Sequence, residues 1–508
     1  MNVPHWLAAL ALGSVPCAGM AAQTAPSREP LQIDKPMEFV RYLFCDVDGD
    51  GRTDLTAVCA GQNRRELRTF LRRATEPQFG GAPSIMILDK DVVAFAFVQS
   101  AALAPRTLVL FTPERAIAVQ ATSDGAPSYA ALFAHQLVWP AADPTDCVPL
   151  QSWVTDLDGD GREDVVVPEP DGARVVLQQA STGGCAFAVA AQWQLPPRID
   201  RLAGRSGGSG RSSGTINLRL RSDDQVGEED SRDRGPLVEV RARTPTIQFL
   251  DLDGDRRLDG WCVRNEAIWW WPQTSPGHFA ATAVRWPLPL PEDRLPVFDP
   301  AFDVQLHDTD RDGRADLVLT TSSQRDGEIE VRIDLYRQQA EGNPWRAGAD
   351  SRLRLQTLAA PPQLADVDGD GVLDLVAITL RTDLLGALQG GAAEFDVQSN
   401  VFRGDSGRFV VPALLTQKLS MQPRERRRGG GTFVRALAGG SGKPGSLLVH
   451  DGASLQLRPL VRDGKRLELG DPEWRVPVGD EESPVMPTGQ APELVVSGGH
   501  DATVVRWR

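Results

Sequence analysis

Five segments of this 508-residue chain place carboxylates at positions 1, 3, 5 and 9 of a nine-residue frame. CDVDGDGRTDL carries Asp46, Asp48, Asp50 and Asp54, and TDLDGDGREDV carries Asp156, Asp158, Asp160 and Asp164. LDLDGDRRLDG carries Asp251, Asp253, Asp255 and Asp259. HDTDRDGRADL carries Asp308, Asp310, Asp312 and Asp316, and ADVDGDGVLDL carries Asp366, Asp368, Asp370 and Asp374. Four like charges this close oppose any compact structure unless a cation sits among them. Oxygen-only donors select hard cations, and calcium accepts six to eight oxygens in flexible geometry. Alternate side chains at positions 1, 3 and 5 converge on one point, position 7 offers its backbone carbonyl, and position 9 closes the sphere. Position 7 is Arg52, Arg162, Arg257, Arg314 or Val372, a variety that predicts use of the main chain alone.

An EF-hand shares the first nine positions but requires a bidentate Glu at position 12 and helices on both sides. Here position 12 is Ala57, Val167, Cys262, Leu319 or Ala377, inside an apolar run of β type. Helix-flanked calcium loops are therefore excluded. Two loops depart from the pattern: Arg256 replaces Gly at position 6 of loop three, and Arg311 replaces Gly at position 4 of loop four. Glycine supplies the positive φ of a tight turn at no steric cost, so strain is expected in loop three and less of it in loop four.

The elements that hold these loops follow from the spacing. The first Asp residues lie 110, 95, 57 and 58 residues apart, which fits a unit near 57 with two degenerate copies. SAALAPRTLVLF places Thr107 where the others have position 9, and RALAGGSGKPGSLLVHDG aligns Ala438, Gly440, Gly442 and Ser446 with the four carboxylates. After each loop comes a β-rich run such as DLTAV, DVVVP or DLVLT, then a second run and a turn closed by an aromatic. Short β-branched runs between Gly/Asn/Asp/Ser turns read as antiparallel strands. Four such strands per repeated unit is the arrangement of a β-propeller. The expected fold is an all-β propeller of seven or eight four-stranded blades, eight preferred, with an N-terminal strand around residues 31–40 completing the last blade. The polar, Gly-rich stretch 203–235 is expected to be a flexible interruption around one poor blade, with INLRLRS and LVEVRAR as its strands.

The Asp loops and the strands around them resemble the FG-GAP/VCBS repeats of calcium-binding β-propellers, seen in integrin α-subunit heads and in many secreted bacterial proteins. The resemblance covers residues 38–508. It implies that each metal loop joins the first two strands of a blade. It also implies that the Asp residues at positions 1, 3, 5 and 9, with the carbonyls of Arg52, Arg162, Arg257, Arg314 and Val372, bind up to five Ca2+. Five divalent ions would bring the formal charge from −14 to −4, so ion binding is expected to be a folding contribution.

The net charge of −14 argues against nucleic acid as the main partner, since phosphate attraction needs a basic face. The opening MNVPHWLAALALGSVPCAGMAA reads as a signal peptide over residues 1–22, followed by a segment 23–37 that closes the last blade, and predicts a secreted or periplasmic protein. No later stretch is long and apolar enough to span a bilayer. Five cysteines remain after the leader, an odd number; Cys147 and Cys185, which flank one repeat, are the expected disulfide. The basic run Arg424, Arg426, Arg427 and Arg428 reads as a solvated loop, and GRSGG at 204–208 lacks the strand and helix of a nucleophile elbow. RGDS at 403–406 matches an adhesion motif but lies where the repeat has its polar turn. Trp269, Trp270 and Trp271 alternate between the two faces of a strand and cannot all be core, so one of them is a candidate aromatic platform for a sugar or protein, with packing between blades the preferred role. The expected function is a non-catalytic protein- or glycan-binding scaffold. The alternative is a calcium-dependent polysaccharide lyase or hydrolase.

Overall fold

The computed structural model describes residues 27–506 except 137–146, 203–214, 221–237, 293–301, 383–394, 422–432, 486–492 and shorter stretches between strands. The leader and the Arg424 to Arg428 run lie outside the described residues. The chain is all-β, with eight blades arranged as a propeller, matching the preferred count; six have four strands and blades 2 and 7 have a fifth. Blade 1 is built from Glu38–Cys45, Asp54–Ala60, Arg65–Phe70 and Ser84–Leu88, and blade 2 from Ala94–Val98, Thr107–Phe111, Arg115–Ala121 and Pro127–Ala134. Blade 3 begins at Val154–Thr155, blade 4 at Gln248–Leu250, blade 5 at Phe302–His307, blade 6 at Gln363–Ala365 and blade 7 at Phe433–Leu437. Blade 8 joins Ser483–Val485, Glu493–Ser497 and Asp501–Arg506 to Ser27–Gln32, which pairs antiparallel with Asp501–Arg506. The N-terminal strand thus lies earlier than the 31–40 expected from the sequence, because Glu38–Cys45 already opens blade 1. Pairing the two ends of the chain in one sheet leaves the ring without an open seam.

Among the described residues the core consists of eight apolar clusters, one between each pair of neighbouring blades. Leu43, Val58 and Leu67 of blade 1 meet Phe95, Phe97 and Leu110 of blade 2. Around the ring the same arrangement recurs, until Val495, Ala502 and Val504 of blade 8 meet Phe39, Leu55 and Ala57 of blade 1. Each blade is therefore covered on both faces. This explains why the second strands are buried along their whole length, as in Asp54–Ala60 and Asp164–Glu169. An uninterrupted apolar run suits a strand covered on both sides.

The tryptophans take the preferred role, packing between blades. Trp271 stacks on Trp193 of blade 3, with centroids 4.9 Å apart and planes at 14°, while Trp270 packs at 4.4 Å on Trp286 in the cluster shared with blade 5. Trp269 joins the same side as Trp271 and donates its indole N–H to Arg264 O at 3.0 Å. The three rings do alternate, and both faces they point to are blade interfaces, with Trp271 buried and Trp269 and Trp270 half-buried.

The interruption also differs from expectation. Thr215–Leu220 and Val238–Arg243 pair with each other and with Ile199–Leu202 in a separate three-stranded sheet. This sheet is no member of the ring, because blades 3 and 4 pack directly on each other. Their approach is so close that a Cβ on Gly260 would lie 2.1 Å from the Trp193 ring. Cys147 and Cys185 are not bonded to each other. Cys147 is buried between blades 1 and 2, whereas the Cys185 sulfur lies 3.3 Å from Thr107 Oγ1 and accepts from Gln178 at 3.1 Å.

Candidate metal centres

All five Asp loops join the first and second strands of a blade, in blades 1, 3, 4, 5 and 6. The position-1 carboxylate curls the turn by accepting backbone N–H groups from inside it. Asp46 takes Gly49 at 2.8 Å and Gly51 at 2.9 Å, and Asp156 takes Gly159 and Gly161 at the same distances. The curl requires positive φ at positions 4 and 6: Gly49 has 77° and Gly51 81°. Arg256 at position 6 is held at 69° and Arg311 at position 4 at 64°. The strain expected mainly in loop three is thus equally present in loop four, at about 1 kcal/mol or more each. In loop four the position-1 oxygen Asp308 Oδ1 is buried and has no hydrogen-bond partner.

Position 9 is the most buried of the four, with Asp54, Asp164, Asp259 and Asp374 at 0% exposure and Asp316 at 1%. Each of these carboxylates braces its loop to the end of the blade's third strand. Asp164 Oδ2 accepts Leu157 N–H at 2.8 Å and Oδ1 accepts Gln178 N–H at 2.8 Å. Asp374 does the same with Val367 at 3.0 Å and Gly404 at 2.9 Å. Burial pushes Asp164, Asp259, Asp316 and Asp374 up to about 6, despite these bonds.

In every loop, three carboxylate oxygens lie within 4.8 Å of one another, a spacing at which they can hold one metal ion. The groups are Asp46, Asp48 and Asp50; Asp156, Asp158 and Asp164; Asp251, Asp253 and Asp255; Asp308, Asp310 and Asp312; and Asp366, Asp368 and Asp374. Asp158 and Asp253 are raised by burial and by their acidic neighbours, the direction expected of crowded anions. An oxygen-only set with an orphaned buried oxygen in loop four fits a hard cation.

Three of the position-7 arginines engage their own loops through their side chains. Arg52, Arg162 and Arg257 each pair with the position-5 carboxylate of their own loop, Asp50, Asp160 and Asp255. Each also donates from Nε to a carbonyl at the end of the third strand: Arg72 at 3.3 Å, Gln178 at 3.3 Å and Gln273 at 2.7 Å. Loop five has Val372 there, and Arg403 of the RGDS turn supplies the guanidinium instead, 2.7 Å from Asp370. Neighbouring blades fasten onto the loops through the position-2 carbonyls. Val47 O takes Arg106 N–H at 2.8 Å, Leu157 O takes Gln273 Nε2 at 2.8 Å, and Leu252 O takes Gln338 Nε2 at 2.6 Å. The glutamines carried no sequence signal that distinguished them from surface residues.

A family profile described as an FG-GAP-like repeat matches residues 308–377, from loop four through loop five into the second strand of blade 6. No curated protein sequence matches the chain. Among solved structures, the chain is similar to an Agrocybe aegerita lectin whose structure concerns recognition of non-reducing terminal N-acetylglucosamine. Identity is 14%, covering 75% of this chain and 94% of that one, with a TM-score of 0.30. An α-L-arabinofuranosidase from Fusarium graminearum is 13% identical, with 70% and 93% covered and a TM-score of 0.27. The Photorhabdus luminescens Tc holotoxin pore is 14% identical, with 86% and 20% covered and a TM-score of 0.27. Likeness at this level carries no information on ligand or activity. No helix among the described residues is long and apolar enough to cross a membrane. Residues 308–377 thus match an FG-GAP-like repeat, and the chain that carries this repeat and sets five Asp loops between first and second strands folds as an eight-bladed β-propeller.

Proposed function

We propose that this protein is an exported, calcium-stabilised propeller that serves as a non-catalytic scaffold for binding a protein or glycan. The observation that carries the reading is the convergence of three carboxylate oxygens within 4.8 Å in each of five loops that occupy equivalent places in their blades. In loops one to four, the Asp residues at positions 1, 3, 5 and 9 and the position-7 carbonyls are the proposed ligands. Bound calcium would supply the positive charge that these clusters require. The chain's own residues do the rest: the position-1 carboxylate sets the curl, and position 9 ties the turn to the third strand. The position-2 carbonyl transmits the loop's position to the next blade. An ordered loop is thereby coupled to an ordered blade interface, which is how cation binding becomes folding free energy. Extracellular modules work with Kd on the order of 10⁻⁴–10⁻³ M, which suits an exported protein.

Elemental analysis of protein dialysed against millimolar calcium, with thermal unfolding in calcium and in chelator, tests the reading. Several bound ions and a Tm lowered by chelator are expected; a Tm indifferent to both would overturn it. Glycan-array binding of the calcium-loaded protein, with loss of signal on chelation, is the expected result for the ligand class.

A further inference from the structure

Loop five differs from the other four in what surrounds it. Its position-3 carboxylate, Asp368, is buried at 2% exposure, whereas Asp48, Asp158 and Asp310 are half-buried and Asp253 is exposed. Two guanidiniums reach it from outside the loop: Arg462 Nη2 of blade 7 at 2.7 Å and Arg403 Nε at 3.5 Å. Arg403 Nη2 also holds Asp370 at 2.7 Å. A third guanidinium, that of Arg311 in loop four, lies against the turn itself, since a Cβ on Gly371 would fall 1.9 Å from its Nη2. Three fixed positive charges therefore stand around four carboxylates.

The degenerate loop of blade 7 is laid along this cluster. Gly439 N–H donates to Asp366 O at 3.0 Å, Gly442 N–H to Gly369 O at 3.0 Å and Gly445 N–H to Val367 O at 2.9 Å. The contact is tight enough that a Cβ on Gly369 would sit 2.4 Å from Lys443 O. A buried carboxylate is tolerated when it is paired and hydrogen-bonded, and Asp368 meets both conditions through residues of the chain itself.

We infer that loop five is a cation-independent latch between blades 6 and 7, in which Arg462 and Arg403 do the neutralising that a divalent ion does at the other four loops. The inference rests on the calcium reading of those four loops, and it turns the RGDS arginine into a structural partner of Asp370. Arg462 and Arg403 are here positioning residues that hold the loop, and blade 7 supplies the stronger of the two contacts.

The test measures calcium bound per molecule by equilibrium dialysis, on the full chain. Asp156→Asn with Asp158→Asn in loop two is expected to lose one ion relative to wild type. Asp366→Asn with Asp368→Asn in loop five is expected to lose none. Arg462→Met is expected to gain one ion and to melt lower than wild type in chelator, with calcium restoring the difference; Arg462→Lys is expected to retain the wild-type count. Loss of one ion from the loop-five variant, or an unchanged count and chelated Tm for Arg462→Met, would overturn the latch while leaving the calcium reading intact. Absence of bound calcium from wild type would instead overturn the reading of the other four loops. The chelated Tm of Arg462→Met then decides the latch alone, lowered if it holds and unchanged if it does not.

Discussion

Loops two and five trace one backbone path, carry the same four carboxylates and brace position 9 in the same way, yet their charges are met differently. In loop two, Arg162 covers Asp160 alone, and Asp158 is raised by burial and by Asp156 beside it. In loop five, burial works to raise Asp370, but the Arg403 guanidinium and the Val372 N–H outweigh it and hold the carboxyl below its ordinary range. The nine-residue motif thus specifies a turn geometry and an anionic cluster, whereas the demand for an external cation depends on neighbours that the motif does not contain.

The largest effect is expected where the two loops agree. Asp164→Ala strands two backbone N–H donors and Asp374→Ala three in a buried place, at about 1–3 kcal/mol per donor. Urea unfolding in chelator should therefore show a loss of about 4 kcal/mol for Asp164→Ala and at least as much for Asp374→Ala. A markedly smaller loss for Asp374→Ala would break the shared framework on which the comparison stands.

Next comes the ion. Each filled site adds about 2.7 kcal/mol at a calcium concentration of roughly 100 Kd. Asp158→Asn should remove one such increment, read as a smaller rise of Tm on adding calcium, with little change in chelator.

The acid response sharpens the contrast further. In chelator, the position-9 carboxyls held up to about 6 take up protons more readily folded than unfolded. Their contribution is present below the unfolded value near 4 and is lost as pH rises through about 6. Calcium competes for the ionised form, so its stabilisation should shrink as pH falls below about 6. Buried His135, pushed down to about 4 by burial, has the opposite sign: its contribution is present above 6.5 and lost as pH falls toward 4. Tm measured from pH 7 to 4 in His135→Phe, with and without calcium, should display the carboxylate slope free of that opposing trend.

The smallest effects concern strain. Arg256→Gly should relieve a left-handed φ of 69° and add about 1 kcal/mol, part of the relieved strain being offset by the freer unfolded glycine. Arg311→Gly relieves a similar 64°, but it also removes a guanidinium from the edge of loop five, so its net gain should be smaller. Equal gains in denaturant unfolding would show that Arg311 contributes nothing to loop five.

Much of this was legible in the sequence because it is local. The carboxylate at position 1 and the N–H groups at positions 4 and 6 are close in any chain that makes this turn, so the pattern alone predicts the loop and the strands on each side. The ring followed from repetition, and the degenerate copies in blades 2 and 7 were recognisable by register even without their carboxylates. Other features misled for an identifiable reason. The platform reading of Trp269 to Trp271 borrowed the rule for a sheet with one wet face, whereas the preferred packing between blades fits a propeller blade, which has no wet face away from its outer edge. Arg52, Arg162 and Arg257 looked interchangeable with Val372 because a side chain that folds back on its own loop leaves no periodic trace. The strands Thr215–Leu220 and Val238–Arg243 have sound β character, and only the contact of Trp193 with Trp271 shows that the ring closes without them.

By itself the sequence determined the turn, the anionic cluster and the number of times both recur, since these depend on interactions spanning fewer than ten residues. Tertiary structure decided which cluster is already neutralised. Arg462 stands 94 residues from Asp368 along the chain, and no spacing rule connects them. Ring closure sets blade 7 beside blade 6, and in the buried space between them a carboxylate must find a positive partner or an ion.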